Sequence, residues 1–501
     1  MMLASIQKPA IALLATVLFS AWTFSPAWQS KFVTISKNGS LKYIPDEKGN
    51  IIPDFSQVGY YQGNKSIPDI AVVATVSPAE TGSSEAIIQA AIEEVAKRTP
   101  DKNGYRGAIL LKKGLYQIPG SIKIRSSGIV LRGEGDETIL VAQGNDKRAL
   151  INVSGAGSAK ELPDTRVAVT DEYIPTGSHS LKVQSAKGLV TGDKIMVFRP
   201  GTDAWIKDLQ MDRIEERSGT KQWQAKEYDF AFERVITKID GDLISIDNPI
   251  VMPMEKKYGG AFVYKYDFKG RISQVGIENL QCRSDYTSDT AEDHSWTAVQ
   301  FDKIENGFVR NVTSRYFSFG CVSLQDEAKF ITVDHCRCLD PKSVITGSRR
   351  YSFNNNGQMN LVLNCHSENA RHDFVTGARA RGPNVFYNST AIKTNADIGP
   401  HHRWAMGTLF DNITTDGEIN VQDRGNWGSG HGWAGVTQVV WNCTAKRVAV
   451  QSPWASGKNY CIGLKGEKYE GRLAGRPDGE WEGQNQPGLE PASLYKAQLK
   501  R

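Results

Sequence analysis

The chain has 501 residues, 40% of them hydrophobic and 23% charged, with 47 glycines. That composition fits a turn-rich folded chain and excludes wholesale disorder. A formal net charge of +5 over this length excludes a dedicated nucleic-acid binder, which would carry a basic domain or stripe.

The N-terminus, 1–27, reads as an export signal. Lys8 precedes an apolar run from Pro9 to Phe24, and Ser25-Pro26-Ala27 supplies small residues for cleavage after Ala27. An uncleaved anchor is the alternative, but the run is shorter than the roughly 20 residues that span a bilayer. The expectation is a secreted protein, periplasmic or extracellular, with no stable membrane insertion.

Residues 28–65 read as a lead segment. Across 84–98, Ile88, Ala91, Ile92 and Val95 share one face at helical spacing, with Ser83 placed as N-cap. Short strand-like runs follow, among them Ile109-Leu110-Leu111, Tyr116-Gln117-Ile118, Ile122-Lys123-Ile124 and Ile129-Val130-Leu131. A helix before such runs serves to cap the open end of a stacked coil, so 66–160 reads as the start of a solenoid.

The stretch from Ile88-Gln89-Ala90-Ala91-Ile92 through Gly114-Leu115-Tyr116 to Val130-Leu131-Arg132-Gly133-Glu134-Gly135 resembles the N-terminal signature of the pectate-lyase superfamily. The resemblance implies an all-β fold, a right-handed parallel β-helix with an N-terminal capping helix. It implies no single activity, since polysaccharide lyases, glycoside hydrolases and phage tail spikes share the scaffold. No segment matches the calcium aspartates and catalytic arginine of true pectate lyases.

Residues 161–265 change texture, with turn-strand units such as Gly192-Asp193-Lys194-Ile195-Met196-Val197-Phe198. They read as a small β-rich insertion whose Trp205 and Trp223 either flank a groove or pack its own core. From 266 to 465 a repeat appears. Asn279, Asn311, His335, Asn364, Asn388, Asn412 and Asn442 occupy its third position, at steps of 24 to 32 residues. That spacing suits coils of three short strands, and stacked asparagines can bond along the stack. The next position runs Leu280, Val312, Cys336, Cys365, Ser389, Ile413 and Cys443, as an inward column should. The seven cysteines are therefore expected as packing groups rather than disulfides. Asn388-Ser389-Thr390 is a sequon, closed to glycosylation if the ladder is buried. The tail, 466–501, ends in an amphipathic segment from Leu494 to Leu499 expected to dock as a cap.

The repeat aligns Tyr351-Ser352-Phe353, His372-Asp373-Phe374 and His402-Arg403-Trp404. Alternation then predicts an inward stack of Phe353, Phe374 and Trp404, with Ser352, Asp373 and Arg403 outward beside Arg350, Arg371 and His401. Asp373 is expected beside Arg403, and Arg371 beside His401. Between 349 and 403, six arginines and one lysine face three carboxylates, Glu368, Asp373 and Asp397, and four of the chain's eight histidines fall there. Such a concentration suits an anionic ligand. The candidate catalytic set is Tyr351, Arg371, His372, Asp373, His401, His402 and Arg403. Arg350, Asp423, Arg424, Trp427, His431, Trp433 and His294 are candidates for substrate binding. Asp285, Asp289, Glu292 and Asp293 form an acidic loop able in principle to take Ca²⁺, although the chemistry requires no cofactor.

The leading expectation is a polysaccharide lyase cleaving a uronic-acid-containing glycan by β-elimination. Such a reaction needs a cation on the carboxylate, Arg403 or Arg371, and a base, His402, His401 or His372, with Tyr351 as acid. The alternatives are a glycoside hydrolase using Asp373, Asp397 and Asp423, and a non-catalytic glycan-binding β-helix.

Overall fold

The computed structural model describes residues 27–500; the export signal lies almost wholly outside them. Twelve strands pair in parallel, each one coil above the last. They run from Val72–Val76 through Gly107–Leu111, Ile129–Gly133, Gly276–Ser284, Phe308–Arg315, Thr332–Asp334, Leu361–Leu363, Arg381–Tyr387, Ala405–Asp411, Gly435–Trp441 and Tyr460–Ile462 to Glu480–Glu482. Two further parallel ladders rise beside them, one through Arg337–Leu339, His366–Glu368 and Thr390–Ile392. The other passes through Thr297–Asp302, Gly320–Leu324, Tyr351–Asn355, His372–Thr376 and Asp397–Pro400. The chain is a right-handed parallel β-helix.

The inward column of the first sheet is Ile277, Val309, Val333, Val362, Phe386, Phe410, Val440 and Cys461, all buried in one core. Leu280, Val312, Cys336, Cys365, Ser389, Ile413 and Cys443 are buried one turn on, and all seven cysteines are free thiols. The asparagines between these columns have left-handed backbones, φ 47 to 56°, a conformation that Asn tolerates better than most residues. The turn thus selects Asn as much as the ladder does. The ladder is also broken: Asn311 bonds Asn279, Asn388 bonds Asn364 and Asn442 bonds Asn412, while Asn364 reaches past His335 to Asp334. It runs along the surface rather than inside, and Asn388 is exposed.

The helix Glu85–Ala96 closes one end of the stack with Ile88, Ile92 and Val95. Its N-cap is Ser84, and Ser83 accepts from the Glu85 N–H. The C-terminal helix Leu494–Gln498 covers a side instead of an end. Leu494 and Tyr495 pack on the outer face of the first sheet with Val385, Leu409 and Val439, joined there by Val33 and Phe55.

Between Lys160 and Asp267 an antiparallel sheet interrupts the coils, and Trp205 and Trp223 pack its core. Trp404 and Trp433, from the coils, are buried in that same core. The expected Phe353–Phe374 stack forms, with centroids 5.4 Å apart, but Trp404 does not continue it. The next coil's strand is Asp397–Pro400, which sets Ile398 above Phe374. Arg403 and Trp404 have φ of 53° and 67°. This left-handed pair breaks alternation and swings the indole out to meet Trp205 at 5.0 Å. A bulky residue there is strained by about 1–3 kcal/mol, and burial of Trp404 against the insertion offsets it.

Candidate functional site

Strand starts and the turns after them bring Tyr351, His372, His401, His402 and His431 into one cluster. Ring centroids are 4.8 Å apart for Tyr351 and His372, 4.4 Å for His372 and His401, 5.0 Å for His401 and His402, and 4.7 Å for His402 and His431. The Tyr351 hydroxyl lies 3.0 Å from His401 Nε2. His431 belongs here because its loop is tight: a Cβ on Gly428 would lie 2.0 Å from the His431 ring, and Gly428 has φ 56°. His366, the fourth histidine of the dense window, instead bonds Thr390 on the second sheet.

His372 is oriented from behind. Its Nδ1–H donates to Asp397 O at 2.9 Å and lies 3.0 Å from Asp397 Oδ1. Both partners are acceptors, so Nδ1 carries the proton and neutral His372 keeps a lone pair on Nε2. That Nε2 is buried and unpartnered among the described residues. Asp397 is itself buried, which disfavours its charge, but Arg424 and His372 hold its carboxyl well below the usual range. Asn420 donates to its other oxygen at 3.1 Å.

The histidines are neutral at physiological pH. Burial lowers His372, partly offset by Asp397. Burial and neighbouring cationic groups take His401 well below its ordinary value, His402 to about 3 and His431 to about 4. Nδ1 of His401, His402 and His431 is buried and unpartnered among the described residues. Burial raises Tyr351, so it is a protonated phenol. Arg371 stands beside it, half-buried, with one nitrogen on the Gly347 carbonyl and no ion-pair partner among the described residues.

Several candidates lie elsewhere. Asp373 and Ser352 point into the coil, not out. Ser352 bonds Ser367 at 2.7 Å, Ser367 donates to Asp373 at 2.5 Å, and burial raises the Asp373 carboxyl to about 7. Its strand pairs with Asp397–Pro400, so Arg403 is not its register partner. Arg350 is buried, its guanidinium bound to Ser343 and the Asn369 carbonyl. Asp423 is buried and paired with Arg476 at 2.8 Å. Arg424 serves Asp397 rather than solvent. Trp433 is a core residue donating to the Leu209 carbonyl. Trp427 is half-buried, with the Arg472 guanidinium 3.8 Å from its ring centroid. His294 is buried among Ser284, Ser318 and the carbonyls of Ala291 and Lys342. In the acidic loop Asp289 pairs with Lys342 at 3.0 Å and Glu292 with Arg349 at 2.5 Å, so these donors are committed to cations of the chain. Among the described residues no group of three or more His, Cys, Asp or Glu is arranged to hold a metal ion. The role of Asp397 behind His372 escaped the sequence reading, which held it only as a hydrolase carboxyl. No sequence signal joins it to a histidine 25 residues earlier until the coil register is known.

No family model and no curated protein matches the chain. Among solved structures it is similar to the tailspike protein gp49 from Pseudomonas phage LKA1, at 12% identity over 79% of this chain and 70% of that one, TM-score 0.37. Pectate lyase Pel9A aligns at 11% identity over 87% and 84%, TM-score 0.40. The catalytic domain of a GH87 α-1,3-glucanase aligns at 10% over 85% and 66%, TM-score 0.35. With these scores below 0.5, the β-helix assignment stands on the strand ladders themselves.

Proposed function

We propose that the protein is a carbohydrate-active enzyme, a polysaccharide lyase acting on a uronic-acid-containing glycan. The observation that carries this reading is the unpartnered Nε2 of neutral His372, its tautomer fixed by an ionised Asp397. Beside it stand a protonated Tyr351 and an arginine, Arg371, without a carboxylate partner.

β-Elimination removes the C5 proton of a uronate and expels the glycosidic oxygen at C4. Arg371 neutralises the carboxylate, which makes the C5 proton more acidic. His372 Nε2 takes that proton, and Asp397 stabilises the imidazolium that results. The C5–H electrons form the C4–C5 double bond as the C4–O bond breaks, and Tyr351 donates its proton to the leaving oxygen. His372 has then gained the proton that Tyr351 has lost, and exchange with solvent after product release returns both groups to their starting states.

The hydrolase alternative loses support from its own carboxyls: Asp373 is inside the coil, Asp423 is paired with Arg476, and Asp397 is paired with Arg424 and His372. The test is a screen of anionic glycans for a product absorbing in the ultraviolet, with His372→Ala and Arg371→Ala alongside. Both variants should lose the chromophore. Unaltered turnover in both would refute the assignment.

A further inference from the structure

Where the insertion meets the coils, next to the histidine cluster, lies a cavity of about 460 Å³. Lys221, Gln222, Gln224 and Glu227 line it from the insertion, and Arg403 and Ser429 from the coils. Its walls are fixed by close backbone contact. The Lys221 N–H donates to the Ser429 carbonyl at 3.1 Å, and Trp223 Nε1 donates to Gly430 O at 3.3 Å. Gly430 has φ 86°, and a Cβ there would stand 2.4 Å from Lys221 O, so only glycine admits the insertion this closely.

Arg403 is held in the cavity wall: one terminal nitrogen donates to both O and Oγ of Ser429 at 2.9 Å. Its Nε is buried and unpartnered among the described residues, and no carboxylate there lies within ion-pair distance. Arg379 adds a second guanidinium nearby, donating to the Glu227 carbonyl at 3.1 Å and lying 5.6 Å from the Tyr228 ring. The Tyr228 hydroxyl is also buried and unpartnered there. Some buried arginines are matched by a carboxylate, Arg271 by Glu233 and Arg424 by Asp397, whereas Arg199, in the core of the insertion, and Arg234, bonded to carbonyls, are not. Here the cations outnumber the single lining carboxylate, Glu227, which can accept sugar hydroxyls.

We propose that this cavity is a second anion subsite, in which Arg403 and Lys221 bind the carboxylate or sulfate ester of a sugar neighbouring the one that reacts. The insertion then reads the acidic repeat of the glycan while the coils carry out the elimination. The proposal rests on the lyase reading for its substrate class, but not for its geometry.

The test measures binding by calorimetry at low salt, in a His372→Ala background so that no probe is consumed. The probes are tetragalacturonate, a chondroitin sulfate tetrasaccharide, carboxyl-reduced tetragalacturonate and digalacturonate. An acidic tetrasaccharide should bind at least tenfold more tightly than the reduced one, and the preferred acid tells carboxylate from sulfate. Lys221→Ala, at an exposed position, and Arg403→Gln should each weaken that tetrasaccharide about tenfold while leaving the disaccharide within twofold. Unchanged tetrasaccharide affinity in both variants overturns the subsite, as does equal loss for both lengths or no binding of either acidic tetrasaccharide. Length-dependent binding without any unsaturated product from the wild type would sink the lyase reading and spare the subsite. An unsaturated product whose KM ignores both substitutions would do the reverse.

Discussion

Along the contact between insertion and coils, two buried polar clusters close their bonds differently. Glu233 accepts from both terminal nitrogens of Arg271 at 2.6 Å, and from Lys329 and Tyr266 at 2.5 Å; burial opposes its charge, but these partners hold it well below the usual carboxylate range. Around Tyr351 and His372, four imidazole nitrogens and the Arg403 Nε are buried without partners among the described residues. The first cluster ties the insertion to the coils. The second leaves valences open, and these are the groups that the proposed binding and proton transfer would use.

The largest effect that sharpens this contrast is on turnover. His372→Ala should lower kcat by roughly 10²–10⁴-fold and shift the melting temperature little, by steady-state kinetics and calorimetry. Glu233→Ala should do the opposite. Leaving Arg271 and Lys329 buried without their carboxylate costs about 3–5 kcal/mol, seen as a lower denaturation midpoint, with activity per folded molecule retained at low temperature. If the two variants exchanged phenotypes, the contrast would collapse.

pH dependence comes next. Folded His402 and His431 take up protons only at about 3 and about 4, whereas an unfolded histidine does so near ~6.5. Through that window the unfolded chain binds more protons, so these groups cost stability as pH falls below ~6.5. The acid limb of kcat should likewise lie below that of an ordinary histidine; a limb at ~6.5 in the pH–rate profile would contradict neutral, buried imidazoles. Asp373 and Asp411 have the other sign. Their folded carboxyls keep protons up to about 7, while unfolded ones ionise near ~3.9, so they cost stability as pH rises from ~4 towards 7. The smallest effect is Asp373→Asn, which should flatten that slope in thermal melts and leave activity intact. A large loss of activity would revive the hydrolase.

The coils were legible because their periodicity is physical: each needs an inward column and a left-handed turn, and Leu280 to Cys443 and Asn279 to Asn442 record both. Tyr351 beside His372 could be read from that spacing; His401, His402 and His431 stand among the sequence's candidates, but the expected register of His402 with His372 fails. The positions of Asp373 and Trp404 could not be read from it. Alternation assumes an unbroken strand, and the left-handed pair at Arg403 and Trp404 ends the pattern for the insertion's sake. A polar residue such as Asp373 reads as outward until Ser352 and Ser367 are seen to satisfy it inside the coil. Lys221 and its neighbours meet Arg403 only through the fold, and no local pattern announces a partner about 180 residues away.

The most direct measurement of the central claim is product stoichiometry on the glycan that the wild-type protein degrades, reading ultraviolet absorbance and reducing ends in one reaction. Elimination by His372 and Tyr351 predicts one unsaturated end for each reducing end formed, and neither from His372→Ala. Reducing ends without the chromophore would contradict it.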